Sequence, residues 1–245
     1  MISWKTLRTL CLVLLLIPIV HLVYLVSRDT VATLDSSPNA WSEEIDAYAR
    51  QDRASKLPDR PIVVVGGRRV KLWSGLEDLL APRPVLMRGL GNATVDDLIH
   101  NYERLIGFYR PHSIVLLPSS SEFHLRANKD ADELVAGIKE LVELDFNHQS
   151  TRRFYIISPL KTPLYPSDNA TVDETVRLLQ EWASDTTRIQ ILDINALLKN
   201  ADGEPNASYY RADGVNLNEH GYLRLSVLLK SAMEADAELL ADSTD

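Results

Sequence analysis

Apolar residues are distributed along this chain in two regimes. From Thr9 to Ser27 no residue is charged, and Leu10 to Val26 is dominated by Leu, Val and Ile. That length is close to the ~20 residues a helix needs to cross a bilayer. From Pro61 onward the pattern changes to short apolar runs separated by longer segments of helical spacing. The runs Ile62–Val65, Val85–Met87, Ile114–Leu117, Phe154–Ile157 and Ile189–Leu192 are rich in β-branched residues and, Gln190 apart, uninterrupted by polar positions. Such runs suit parallel strands covered on both faces. Between and after them, Val95–Tyr109, Asp130–Asn147, Val172–Ser184 and Glu219–Leu240 carry the helical period. The alternation predicts an α/β protein, a three-layer α/β/α sandwich on a five-stranded parallel sheet, preceded by a transmembrane helix.

The domain plan follows from the same pattern. Residues 1–8 are expected in the cytoplasm, 9–27 as a transmembrane signal anchor, 28–60 as a stalk and 61–240 as the folded domain. Lys5 and Arg8 precede the apolar segment, whereas Arg28 is followed at once by Asp29. This bias favours a cytoplasmic N-terminus and an extracytoplasmic domain, periplasmic in a Gram-negative cell. A cleaved signal peptide is the alternative, although its apolar core usually spans only about 7–15 residues and ends at a small-x-small site. In the stalk, Asp35-Ser36-Ser37-Pro38 and Pro58-Asp59-Arg60-Pro61 mark turns, and Trp41–Arg53 has the spacing of a short amphipathic helix.

Composition narrows the function. A net charge of -8 argues against nucleic acid, which is bound through clustered Lys and Arg. The one cysteine, Cys11, lies inside the apolar segment, so neither a disulfide framework nor a thiolate metal cluster is expected. His100, His112 and His148 lack metal-ligand spacing. No metal or other cofactor is expected. Asn92, Asn169 and Asn206 each begin an Asn-x-Ser/Thr triplet, relevant only where exported proteins are glycosylated.

In a parallel sheet, function gathers in the loops beyond the carboxyl ends of the strands. Gly66-Gly67-Arg68-Arg69-Val70-Lys71-Leu72-Trp73 follows the first run, and Arg88-Gly89-Leu90-Gly91-Asn92-Ala93-Thr94 the second. Ser119-Ser120-Ser121-Glu122 follows the third, and Asp213-Gly214-Val215-Asn216-Leu217-Asn218-Glu219-His220-Gly221-Tyr222 opens the last helix. In order and spacing these four segments resemble the blocks of the SGNH/GDSL hydrolases. The resemblance covers about residues 61–230 and implies a flavodoxin-like sandwich, an ester hydrolase by descent. It also implies site positions: Arg68 where the nucleophilic serine stands, Gly91 as an oxyanion amide, Ser121 where an asparagine donates, Glu122 beside it, Asp213 as the orienting acid and Asn216 where the base stands.

The departures fall on the chemistry itself. Arg68 has no hydroxyl and stays protonated, and Asn216 has no basic nitrogen. A serine made nucleophilic by an oriented imidazole is therefore missing, which predicts a pseudoenzyme. The cleft would then bind rather than turn over, with Arg68, Arg69, Gly91, Asn92, Ser121, Asp213 and Asn216 as candidate contacts. An anionic group, a glycan or an envelope protein is the expected partner, besides the membrane. For Arg68 two states stay open: an anion-binding guanidinium, or a plug paired with Glu122 and Asp213. The alternative to the pseudoenzyme is an active hydrolase or acyltransferase on envelope esters, with its nucleophile relocated to Ser119–Ser121 and His124 or His220 as base.

Overall fold

The computed structural model describes residues 4–34, 37–124, 126–148 and 151–242. Five strands form one sheet: β1 (Ile62–Gly66), β2 (Val85–Gly89), β3 (Ser113–Leu117), β4 (Arg153–Ile157) and β5 (Ile189–Leu192). Their order is β2-β1-β3-β4-β5, parallel throughout, with Ile62 opposite both Val85 and Ser113. The helices are α1 (Trp4–Leu34), α2 (Ser42–Ala54), α3 (Arg68–Lys71), α4 (Leu76–Leu80), α5 (Val95–His100), α6 (Tyr102–Leu105), α7 (Ala131–Asn147), α8 (Asn169–Ala183), α9 (Asn195–Leu198) and α10 (Glu219–Asp242).

Two-residue periodicity divides each strand between two cores. Val63, Val65, Ile114, Leu116, Phe154 and Ile156 pack against residues of α5, α7 and α8. Their neighbours Ile62, Val64, Val115, Leu117, Tyr155 and Ile157 pack against α4, α9 and α10. The three central strands β1, β3 and β4 are thus apolar on both faces, which is why their runs carry no polar alternation. The expected sandwich is present.

Helix ends agree with local chemistry. Asp130 and Glu133 form a capping box at the start of α7, and Thr94 and Asp97 form one at the start of α5. The helix expected over Val95–Tyr109 is divided into α5, α6 and a 3₁₀ turn at Gly107–Tyr109. At the first break, the Asn101 side chain donates to the Asp97 carbonyl while the Asn101 backbone leaves helical geometry. A short amide that bonds the nearby backbone competes with helix continuation.

The stalk expectation for 28–60 requires correction. The helix expected over Trp41–Arg53 forms as α2 and lies on the domain. Trp41, Ile45, Tyr48 and Asp52 share one helical stripe, and this stripe faces inward. Trp41 and Ile45 are fully buried in the core beside Leu90, Val95 and Leu98. The Tyr48 hydroxyl donates to the Gly89 carbonyl at 2.6 Å. Asp52 pairs at 2.6 Å with Arg88, a buried guanidinium set between the rings of Tyr48 and Tyr109. Residues 37–54 are therefore structural parts of the sandwich.

The membrane span expected over 9–27 falls within α1. The side chains at 9–11 lie outside the described residues, and those described without interruption run from 12 to 27. Among the described residues, no helix is long and apolar enough to cross a membrane.

Candidate functional site

The order β2-β1-β3 sends the connections that follow β1 and β3 to opposite faces of the sheet, which makes their carboxyl ends the topological switch point where open α/β sheets hold their sites. At the exit of β1, Gly66 has φ +152°, and a Cβ there would lie 2.2 Å from the Leu117 carbonyl oxygen. Only glycine fits. Beside it, Ser119 packs against Gly67, and its hydroxyl oxygen accepts the Ser121 amide at 3.2 Å. Ser119 and Ser121 are both buried.

The two arginines that follow have opposite fates. Arg68, first residue of α3, is exposed, and its side chain makes no hydrogen bond or ion pair among the described residues. The expected plug with Glu122 and Asp213 does not form, because both acids are satisfied elsewhere. Arg69 instead turns inward, with Nε and Nη2 donating to the Val215 carbonyl at 3.3 and 3.0 Å. Burial pulls its guanidinium below its ordinary range, opposed by Tyr210, Tyr222 and Asp213. Arg69 thereby ties the first site loop to the last, and the Tyr222 hydroxyl closes the tie on the Arg69 carbonyl at 2.8 Å. Its expected role in ligand contact gives way to this structural one.

In the last loop Asp213 is held by its chain neighbours. Asp213 Oδ1 accepts the Val215 and Asn216 amides at 2.9 and 2.8 Å, and Oδ2 accepts Asn216 Nδ2 at 2.7 Å. Burial pushes this carboxyl up, but the Asn216 and Val215 hydrogen bonds outweigh it and hold it below the usual range. Asn216 thus bonds Asp213 through an amide, a group that cannot take a proton. His220 is exposed in the first turn of α10.

The Gly91 amide is occupied from within the chain. Gly91 donates its amide to Glu44 Oε2 at 3.1 Å, and the same oxygen meets Lys71 Nζ at 3.0 Å. A Cβ at Gly91 would lie 2.3 Å from the Trp41 ring, so α2 covers this turn closely. Asn92 is half-buried in the same turn. Glu44 and Trp41 lie outside the sequence motifs, and Lys71 lies inside the first of them but is not one of the expected contacts. The available signal is the i, i+4, i+7 stripe of Trp41, Ile45 and Tyr48, which marks the helix as docked and places Glu44 beside it.

Glu122 faces away from Arg68. Its Oε1 caps α5 by accepting the Val95 amide at 2.6 Å, and Oε2 lies 3.0 Å from Lys129 Nζ. Burial pushes its carboxyl up to about 7, against the pull of Lys129 and the Val95 N–H. A folded pKa raised above the unfolded value of 4.5 means stability present at low pH and lost as pH rises through about 7. Glu122→Gln keeps the acceptor and removes this loss. Relative to the variant, the native chain is expected to lose on the order of 3 kcal/mol across that window, measured by urea unfolding on either side of it.

His124, in the loop after β3, bonds Asp168 through Nε2 and lies tilted at 36° against Tyr165, with ring centroids 4.1 Å apart. Among the described residues no serine hydroxyl is hydrogen-bonded to it. A cavity of about 210 Å³ near the ends of β4 and β5 is lined by Lys161, Asp173, Asp193, Asn195 and Tyr210, none of them among the expected site residues.

Comparison with known proteins rests on structure. No family description and no curated protein matches the sequence. A GDSL-like lipase from Bacteroides thetaiotaomicron superposes with a TM-score of 0.66 at 16% identity, over 78% of this chain and 98% of that one. The lipase/acylhydrolase from Enterococcus faecalis gives 0.60 at 14%, over 72% and 96%. An acetylxylan esterase from Geobacillus stearothermophilus, solved as a catalytic mutant, gives 0.56 at 16%, over 71% and 94%. The chain has the fold of the GDSL-like lipases and acylhydrolases.

Proposed function

We propose that this protein is a catalytically silent relative of the SGNH/GDSL hydrolases, anchored by residues 9–27 with its domain outside the cytoplasm. It binds an anionic or glycan ligand, or an envelope protein, at the carboxyl edge of the sheet. The carrying observation is the Asp213–Asn216 hydrogen bond, which keeps the orienting acid in place and supplies an amide where a base is required. Arg68 supports the reading, since an exposed guanidinium attracts anions but cannot attack a carbonyl. The anchor is supported by the uncharged stretch 9–27 and by the large apolar side chains between Leu12 and Val26 that α1 leaves exposed.

A second reading, an active hydrolase with relocated groups, draws on His124, because an imidazole held by Asp168 is oriented as a general base is. One experiment separates the two. The full chain, expressed in membranes, is treated with a fluorophosphonate probe and assayed on short-chain aryl esters. No labelling and no turnover are expected. Labelling that disappears on mutating Ser119, Ser120 or Ser121, or on His124→Ala, would establish the active enzyme instead. Recovery of the chain in the soluble fraction would remove the anchor.

A further inference from the structure

We propose that Glu44 is an internal anion seated in a subsite made by the Gly91 amide and the Lys71 ammonium, so that the juxtamembrane segment inhibits its own cleft. A ligand bearing an anionic oxygen, a carboxylate or a phosphate, enters by displacing this one side chain while α2 stays docked. The inference deepens the binding role proposed above and rests on it.

Three observations carry it. First, one carboxylate oxygen accepts from both donors, the Gly91 N–H at 3.1 Å and the Lys71 ammonium at 3.0 Å. A backbone amide and a cation converging on one oxygen form the donor set of an anion site. Second, the backbone that carries the donors is fixed independently of Glu44. Lys71 ends α3, whose backbone packs so tightly on β2 that a Cβ at Gly89 would lie 2.6 Å from the Lys71 backbone nitrogen. The Gly91 turn is held beneath the Trp41 ring. The Gly91 amide and the root of the Lys71 side chain therefore keep their places when the occupant leaves.

Third, the occupant is weakly held compared with its helix. The Glu44 and Lys71 side chains are 33% and 41% exposed, and an ion pair that open to water contributes little. The attachment of α2 is made elsewhere, by buried Trp41 and Ile45 and by the Asp52–Arg88 pair, whose side chains are 9% and 5% exposed. A rotamer change of Glu44 frees the subsite, whereas undocking α2 requires breaking a buried core. The relevant motion is of the side chain.

The test uses the full chain in detergent micelles with Arg68 native, so it reads binding and is independent of ester turnover. Thermal unfolding is followed against sodium acetate and sodium phosphate, with sodium chloride at matched ionic strength as reference. For Glu44→Ala, a saturable rise in Tm with acetate or phosphate is expected, with apparent affinity about tenfold tighter than for the native chain, as removal of an internal competitor requires. The anion with the larger shift identifies the class of the ligand. Glu44→Gln, which keeps the shape and hydrogen bond of the side chain, falls between the two. Adding Lys71→Ala to Glu44→Ala abolishes the shift. Equal affinities in native and Glu44→Ala chains, or no saturable shift in any variant, would overturn the proposal. So would unchanged hydrogen exchange at the Gly91 amide in Glu44→Ala, which is expected to accelerate about tenfold on losing its acceptor.

Discussion

Trp41→Ala is expected to destabilise the domain by about 3 kcal/mol, although Trp41 lies in a stretch that reads as a tether. The indole is 2% exposed and shares a core with Ile45, Leu90 and Leu98. Truncating a buried Trp removes its transfer free energy and leaves a cavity, together about 3–5 kcal/mol. Two local terms adjust that range. Arg126 stands over the ring at 5.0 Å, and its cation–π contact is lost with the indole. In the other direction, the indole N–H is buried with no acceptor among the described residues, so its removal relieves a cost. The lower end of the range follows. Gln51→Ala, exposed on the same helix, is expected within about 0.5 kcal/mol of the native chain. Urea unfolding of the three chains in one detergent measures both. A Trp41→Ala effect as small as that of Gln51→Ala would mean that α2 is a detachable tether.

The contrast between Trp41 and the strands shows what is legible in the sequence. Strands buried on both faces announce themselves, because a continuous apolar run has no other inexpensive fate, and the five runs are the five strands. The site blocks are legible as positions: Gly91 lies in the turn after β2, and Asp213 and Asn216 lie in the loop before α10. Partnership is not legible. Nothing local in Gly-Gly-Arg-Arg indicates that the second arginine turns inward to the Val215 carbonyl while the first faces water. Glu122 reads as available to Arg68, yet it accepts from the Val95 amide and pairs with Lys129. The stalk expectation fails for a related reason. Trp41–Arg53 carries only three large apolar residues among its charges and so resembles a solvated helix. Its docking depends on Asp52 meeting an arginine on β2, a contact between residues far apart in sequence.

Restoring the two missing groups should restore part of the chemistry. Arg68→Ser places a hydroxyl at the start of α3, and Asn216→His places an imidazole where the Asn216 amide now donates to Asp213 Oδ2 at 2.7 Å. The acid needs no adjustment, since the Val215 and Asn216 amides already hold its other oxygen. A complete triad accounts for about 10⁶ in kcat. Each absent oxyanion donor costs about 10²–10³, and two are compromised here: the side chain at 121 is a serine, and the Gly91 amide is bonded to Glu44. Subtracting both leaves a gain of at most about 10²-fold over the native chain for Arg68→Ser/Asn216→His on short-chain aryl esters. Adding Glu44→Ala frees one donor and is expected to raise turnover by a further factor of about 10². Active-site titration with a fluorophosphonate counts the reacting serines, so that a low rate is distinguished from a small active fraction. A folded double variant that neither labels nor turns over ester would show that positions 68 and 216 do not face each other across the switch point as nucleophile and base do. A double variant already as fast as the triple would show that Glu44 leaves the Gly91 amide open to a developing oxyanion.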